Sequence, residues 1–107
     1  MTGAQARIAE RLLALSYVDQ DCGCWIFCGT RDRKGYGKVA VRVKGERSPR
    51  GFRAHRLAYE LLGGKPIAPG MSIDHLCART SCINPDHLEE VPLDVNTARM
   101  QRRRRGS

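Results

Sequence analysis

Cys77, Cys82 and His87 follow a C-x4-C-x4-H spacing inside eleven residues. Thiolates and imidazoles so placed suit zinc, which takes four such ligands in a tetrahedral shell. A closed shell needs a fourth ligand, and Cys22, Cys24 and Cys28 stand upstream. Cys24, beside Trp25 in a turn of small residues, is the first choice, with Cys22 and Cys28 as competitors. Four protein ligands leave no open position on the ion, so its role would be structural, tying the loop to the N-terminal turn. Disulfides are the rival use of the cysteines, but five of them cannot all pair. The opening MTGAQARIAERLLALS carries Arg7, Glu10 and Arg11 within its apolar stretch and lacks a cleavage pattern, unlike a secretory signal. A reduced, cytoplasmic setting is expected, which disfavours disulfides. No stretch approaches a membrane span.

Asp74 and His75 directly precede that loop. An imidazole titrating near neutrality suits removal of a proton from water. A carboxylate beside it suits a hard divalent cation such as Mg²⁺, which prefers oxygen ligands. Neighbouring strand residues point to opposite faces, so the pair can serve one site only where a strand ends or twists. Asn96 follows His75 by 21 residues on an expected helix. Asn84, before Pro85, is a turn residue whose amide pins a loop.

The run Ile73-Asp74-His75-Leu76-Cys77, the run Ser81-Cys82-Ile83-Asn84-Pro85-Asp86-His87-Leu88-Glu89, and Asn96 together resemble the ββα-metal HNH nucleases. The likeness is to phage-type HNH endonucleases and to zinc-bound His-Cys box homing endonucleases. Cys24-Trp25-Ile26-Phe27, Gly35-Tyr36-Gly37 and Ala54-His55-Arg56-Leu57-Ala58-Tyr59-Glu60 carry it upstream, so it spans roughly residues 22–99. The resemblance implies His75 as general base, with Asn96 and Asp74 as ligands of a catalytic Mg²⁺ or Mn²⁺. It implies Asn84 as a loop brace and Cys24, Cys77, Cys82 and His87 as structural zinc ligands. Two departures stand out: the last motif position is Asn rather than His, and the Asp74 position is not always acidic in His-Cys box enzymes. The implied activity is hydrolysis of double-stranded DNA to 5′-phosphate and 3′-hydroxyl ends in a bacterial or phage-infected cell. A homodimer that cuts both strands and a single chain that nicks one are both compatible with this.

The elements that must position these residues define an α+β chain, a small single domain with a ββα-metal motif plus an N-terminal sheet and helices. Residues 4–16 show helical periodicity on Ile8, Leu12 and Leu15. Tyr36 to Val43 alternates as a half-buried strand, with Val39, Val41 and Val43 on one face. A basic loop follows from Lys44 to Arg50. A helix is expected from Phe52 to Leu62, with Ala54, Leu57, Ala58, Leu61 and Leu62 buried and Gly63-Gly64 at its end. Strands at Met71–Leu76 and Leu88–Val91 and a helix at Asp94–Gln101 complete the order. The expected division is a lead-in over residues 1–21, a nuclease domain over 22–101 with its core at about 71–101, and a basic tail over 102–107.

The formal charge is +8, and five of the cationic side chains, Arg99 and Arg102 to Arg105, fall in the last nine residues. A frayed basic extension of that kind suits phosphate contact. Arg42, Arg50, Arg53 and Arg102, Arg103, Arg104 and Arg105 are the candidate DNA contacts, beside Lys44 and Arg47. His55 reads as a core histidine at least as well as a DNA contact. A non-catalytic, zinc-stabilised DNA-binding module would account for the charge and the Cys-Cys-His loop. It would leave Asp74, His75 and Asn96 without a role.

Overall fold

A computed structural model describes residues 2–105, and the side chains of residues 2–102. Thr2 opens the first helix, α1 (Gly3–Ala14), through a reciprocal cap. Its hydroxyl accepts from the Gln5 amide at 3.2 Å, and the Gln5 side chain accepts from the Thr2 amide at 2.9 Å. Ala9 and Leu12 are the buried residues of α1, while Leu15 caps its end and is partly exposed. Ser16–Val18 then forms β1, a strand the helical pattern had concealed, paired antiparallel with β2 (Trp25–Phe27).

β3 (Lys38–Val41) pairs antiparallel with β4 (Arg50–Arg53). The expected alternation shows in β3, where Val39 is buried and Lys38 and Ala40 are exposed. β4 is a correction to the expected basic loop and to the expected start of the second helix at Phe52. Its Arg-Gly-Phe-Arg sequence carries little strand propensity, and pairing with β3 supplies what local preference does not. The helix α2 (Ala54–Leu61) follows at once and buries Ala54, His55, Ala58 and Tyr59.

The last third is a ββα unit. β5 (Met71–His75) and β6 (Leu88–Pro92) pair antiparallel with Asp74 opposite Glu89 and His75 opposite Leu88. A single 3-10 turn, Pro85–His87, leads into β6. α3 runs Leu93–Arg105, so it is longer than the expected Asp94–Gln101 and takes in arginines expected in a separate tail. Arginine is a good helix former, and cations near a helix C-terminus suit its dipole. Arg102 is exposed on α3, whereas the side chains of Arg103, Arg104 and Arg105, together with residues 106–107, lie outside the described ones.

The architecture is therefore α+β, with three two-stranded antiparallel sheets and three α-helices among the described residues. Leu12, Phe27, Val39, Ala54, Ala58 and Ile83 make the main core, so α1, β2, β3, α2 and the loop after β5 all contribute. Gly37 sits where two of these parts meet. A Cβ there would lie 2.6 Å from the Phe27 ring and 2.8 Å from the Ala54 Cβ, while the Gly37 carbonyl accepts from the Ala54 amide at 2.9 Å. Ring and backbone are both fixed by the core, so the clash cannot relax cheaply. Gly37→Ala is expected to lower the unfolding free energy by about 1–3 kcal/mol, the usual cost of overpacking. Chemical denaturation of the two proteins measures it.

Candidate functional site

The loop between β5 and β6 folds against β2 through its backbone. The Phe27 amide donates to the Ser81 carbonyl at 2.9 Å, and the Ile83 amide donates to the Trp25 carbonyl at 2.8 Å. β2 thus has β1 on one edge and residues 81–83 on the other, which sets Cys24, one residue before β2, beside Cys82. Cys24, Cys77, Cys82 and His87 form one cluster whose ligand atoms all lie within 4.8 Å of one another. His87 Nδ1 is 3.5 Å from Cys24 Sγ and 3.6 Å from Cys82 Sγ. Bonds of roughly 2.3 Å to sulfur and 2.0–2.1 Å to nitrogen give a tetrahedral S···N edge of about 3.6 Å. The cluster fits a tetrahedral ion.

Its electrostatics agree. Cys24 and Cys82 are fully buried, and burial pushes both thiols above the ordinary cysteine range. Thiolates gathered there need a cation. The two competing cysteines are exposed and otherwise engaged: Arg79 Nη1 lies 3.3 Å from Cys22 Sγ, and Cys28 Sγ lies 3.6 Å from the Ile26 carbonyl. Asn84 braces the same junction, donating from Nδ2 to the Gly23 carbonyl at 2.8 Å and accepting from the Asp86 amide at 3.0 Å. Gly23 turns with φ +76° against the His87 ring, a conformation that favours glycine.

His75 is the last residue of β5, the position at which adjacent side chains can turn into one site. Its Nε2 lies 3.0 Å from the Cys82 carbonyl. A carbonyl only accepts, so Nε2 carries the proton and Nδ1 is the basic nitrogen of the neutral ring. Asp74, His75 and Asn96 line one cleft of about 220 Å³, together with Lys34, Tyr36 and Met100. Asn96 donates from Nδ2 to Ser72 Oγ at 2.7 Å, which leaves its amide oxygen as the atom suited to a cation. Asp74 is 2% exposed and accepts from Arg99 Nη1 at 3.0 Å.

Next to His75 lies His55, with ring centroids 4.5 Å apart, and Tyr36 touches both rings. His55 is buried, and burial followed by the neighbouring His75 charge pushes its pKa down to about 3. It is a core histidine held neutral. A second hollow of about 290 Å³ shares Lys34, Tyr36, Asn96 and Met100 with the cleft and adds Arg53 and Arg56.

The candidate arginines therefore separate. Arg53 borders this hollow, ion-paired to Asp32 and stacked 4.8 Å from the centroid of the Tyr36 ring. Arg42 lies instead against α1, beside Arg7 and Arg11, and Arg50 pairs with Glu46 at the surface. Sequence reasoning gave no role to Glu89, Lys34 or Tyr36, and took Arg99 only as part of a basic tail. Two signals were available. Pairing of the two expected strands puts Glu89 opposite Asp74, and Arg99 stands three residues beyond Asn96, on the same helix face.

The ββα unit thus carries Asp-His at the end of its first strand and Asn on its helix, and Cys24 from the turn before β2 completes a Cys₃His cluster with three residues of the connecting loop. The model of a family described as HNH endonuclease matches residues 52–98. The "Uncharacterized gene 5.3 protein" of Enterobacteria phage T3 is 31% identical over 80 residues, which are 73% of this chain and 77% of that protein. No solved structure matches the chain. The chain belongs to the HNH endonuclease family. No helix among the described residues is long and apolar enough to cross a membrane.

Two predictions follow from this geometry. Cys24→Ala is expected to lose the bound metal and to melt at lower temperature, while Cys22→Ala and Cys28→Ala keep a full equivalent, as metal analysis by mass spectrometry would read. The second concerns acid. A histidine with a folded pKa near 3 and an unfolded value near 6.5 favours the folded state fully above pH 6.5. That contribution is lost as pH falls from 6.5 towards 3, because the unfolded chain binds the proton first. His55→Phe should therefore show a shallower fall in stability over that window than the parent protein, measured by denaturation at each pH.

Proposed function

We propose that the chain is a metal-dependent DNA endonuclease with His75 as general base and a structural zinc in the Cys₃His cluster. Zinc is the ion that the donor set and the 3.5 and 3.6 Å sulfur–nitrogen separations support. The observation that carries the reading is that Asp74, His75 and Asn96 line the same cleft.

His75 draws a proton from water at Nδ1, while its Nε2–H stays on the Cys82 carbonyl and keeps the ring oriented. The hydroxide so formed attacks phosphorus in line with the 3′-oxygen. The bond to that oxygen breaks and the oxygen takes a proton from water, leaving a 5′-phosphate and a 3′-hydroxyl. Asp74 and the amide oxygen of Asn96 would hold a divalent ion such as Mg²⁺ or Mn²⁺, whose chemistry there is to neutralise charge on the phosphate and the leaving oxygen. Asn84 acts at a distance, holding the loop that carries Cys82 to the turn before Cys24. Arg53, Arg56 and Lys34 would meet the phosphate backbone near the cleft, with the α3 arginines beyond it. Arg42 and Arg50 would contribute only longer-range attraction.

Supercoiled plasmid incubated with the zinc-loaded protein should be nicked or linearised in Mg²⁺ or Mn²⁺ and left intact in EDTA controls matched for zinc. His75→Ala should cut about 10²–10⁴-fold more slowly while staying folded and keeping its full zinc content. A protein that binds plasmid yet never cuts it in any divalent ion would instead be a zinc-stapled DNA-binding module.

A further inference from the structure

Asp74 and Glu89 stand directly opposite each other across β5 and β6. Like charges so placed destabilise a sheet pair. Arg99 resolves the conflict: its Nη1 donates to Asp74 Oδ2 at 3.0 Å and to Glu89 Oε2 at 3.2 Å. The three groups differ in exposure. Asp74 is 2% exposed at the side chain, Arg99 36% and Glu89 44%. The buried carboxylate depends most on the guanidinium as its partner, whereas Glu89 is also solvated.

The carboxylate that Arg99 neutralises is also the one assigned to the divalent ion. A carboxylate has around four acceptor sites, so both can bind it, but two cations on one small group repel. We propose that Arg99 is a displaceable counter-ion: it holds Asp74 in place before metal binds, and slackens towards Glu89 when a divalent cation arrives. The proposal rests on the nuclease reading only in taking Asp74 as a ligand. By linkage, the factor by which metal loosens Arg99 from Asp74 is the factor by which Arg99 weakens metal binding. Arg99 thus sets the affinity of the site without touching the reacting atoms. Glu89 is the second anchor that keeps the guanidinium nearby.

Titration calorimetry of Mn²⁺ into the zinc-loaded full chain, without DNA, tests this. Arg99→Gln should bind Mn²⁺ about tenfold more tightly, within the usual range for coupled sites. Arg99→Lys keeps the charge and should stay near the parent affinity. Glu89→Gln leaves Arg99 on Asp74 alone and should bind several-fold more weakly. Melting gives an independent readout: metal-free Arg99→Gln should unfold at lower temperature than the parent and gain more from Mn²⁺. A merely structural Arg99 would make all three variants bind more weakly, and unchanged or weaker binding by Arg99→Gln overturns the proposal. Should Arg99→Gln not fold, the paired signs for Arg99→Lys and Glu89→Gln decide. A parent protein that takes up no Mn²⁺ beyond its zinc removes the nuclease reading and this inference together.

Discussion

Cys82 joins three parts of the molecule through three different atoms. Its sulfur sits in the Cys₃His cluster, its carbonyl receives the His75 ring, and its flanking backbone pairs with β2. Each link constrains the next. Pairing with β2 brings Cys24 within reach of the loop, the cluster fixes the loop's curvature, and the fixed loop presents a carbonyl where the imidazole needs an acceptor. A domain this small has little apolar surface with which to order a twelve-residue connection between strands. A metal ion held there would supply the order that a larger core supplies elsewhere, close to the candidate base.

The two candidate cation sites follow opposite chemical rules on either side of that residue. One gathers three sulfurs and an imidazole around one point, with Cys24 and Cys82 buried, a donor set suited to a soft or borderline ion. The other offers a carboxylate and an amide oxygen at the edge of a cleft, suited to a hard ion that keeps water around it. Different donors keep each ion out of the other's site. The cationic rim from Lys34 to Arg56 then fits an anionic polymer rather than a free metal ion.

What the sequence made legible was the part whose chemistry is local. The Cys-x4-Cys-x4-His spacing, the Asp-His pair and the helical Asn lie within one ββα unit, whose strands and helix were expected close to where they fall. Cys24 was legible only as one of three choices. Resolving it needed the contact between β2 and residues 81–83, which no local pattern encodes. β1 and β4 escaped for a related reason: Ser-Tyr-Val and Arg-Gly-Phe-Arg become strands because partners are available, not because of their own preference. The arginines show the limit most clearly. Arg42, Arg50 and Arg53 look alike in sequence, yet of the three only Arg53 borders the hollow beside the cleft.

The acidic side of the cleft shows why counting charges misleads in a chain of net +8. Arg99 belongs by composition to a basic terminus awaiting phosphate. In the fold it is held by two carboxylates, and hydrogen bonds to Asp74 and then Glu89 raise its already high pKa. Its positive charge is spent on the interior rather than offered to a partner. Arg53 is also held, by Asp32 and the face of Tyr36, but at the surface. Cations held in this way sit in fixed positions beside the cleft, and fixed positions are what a site needs to orient one phosphate.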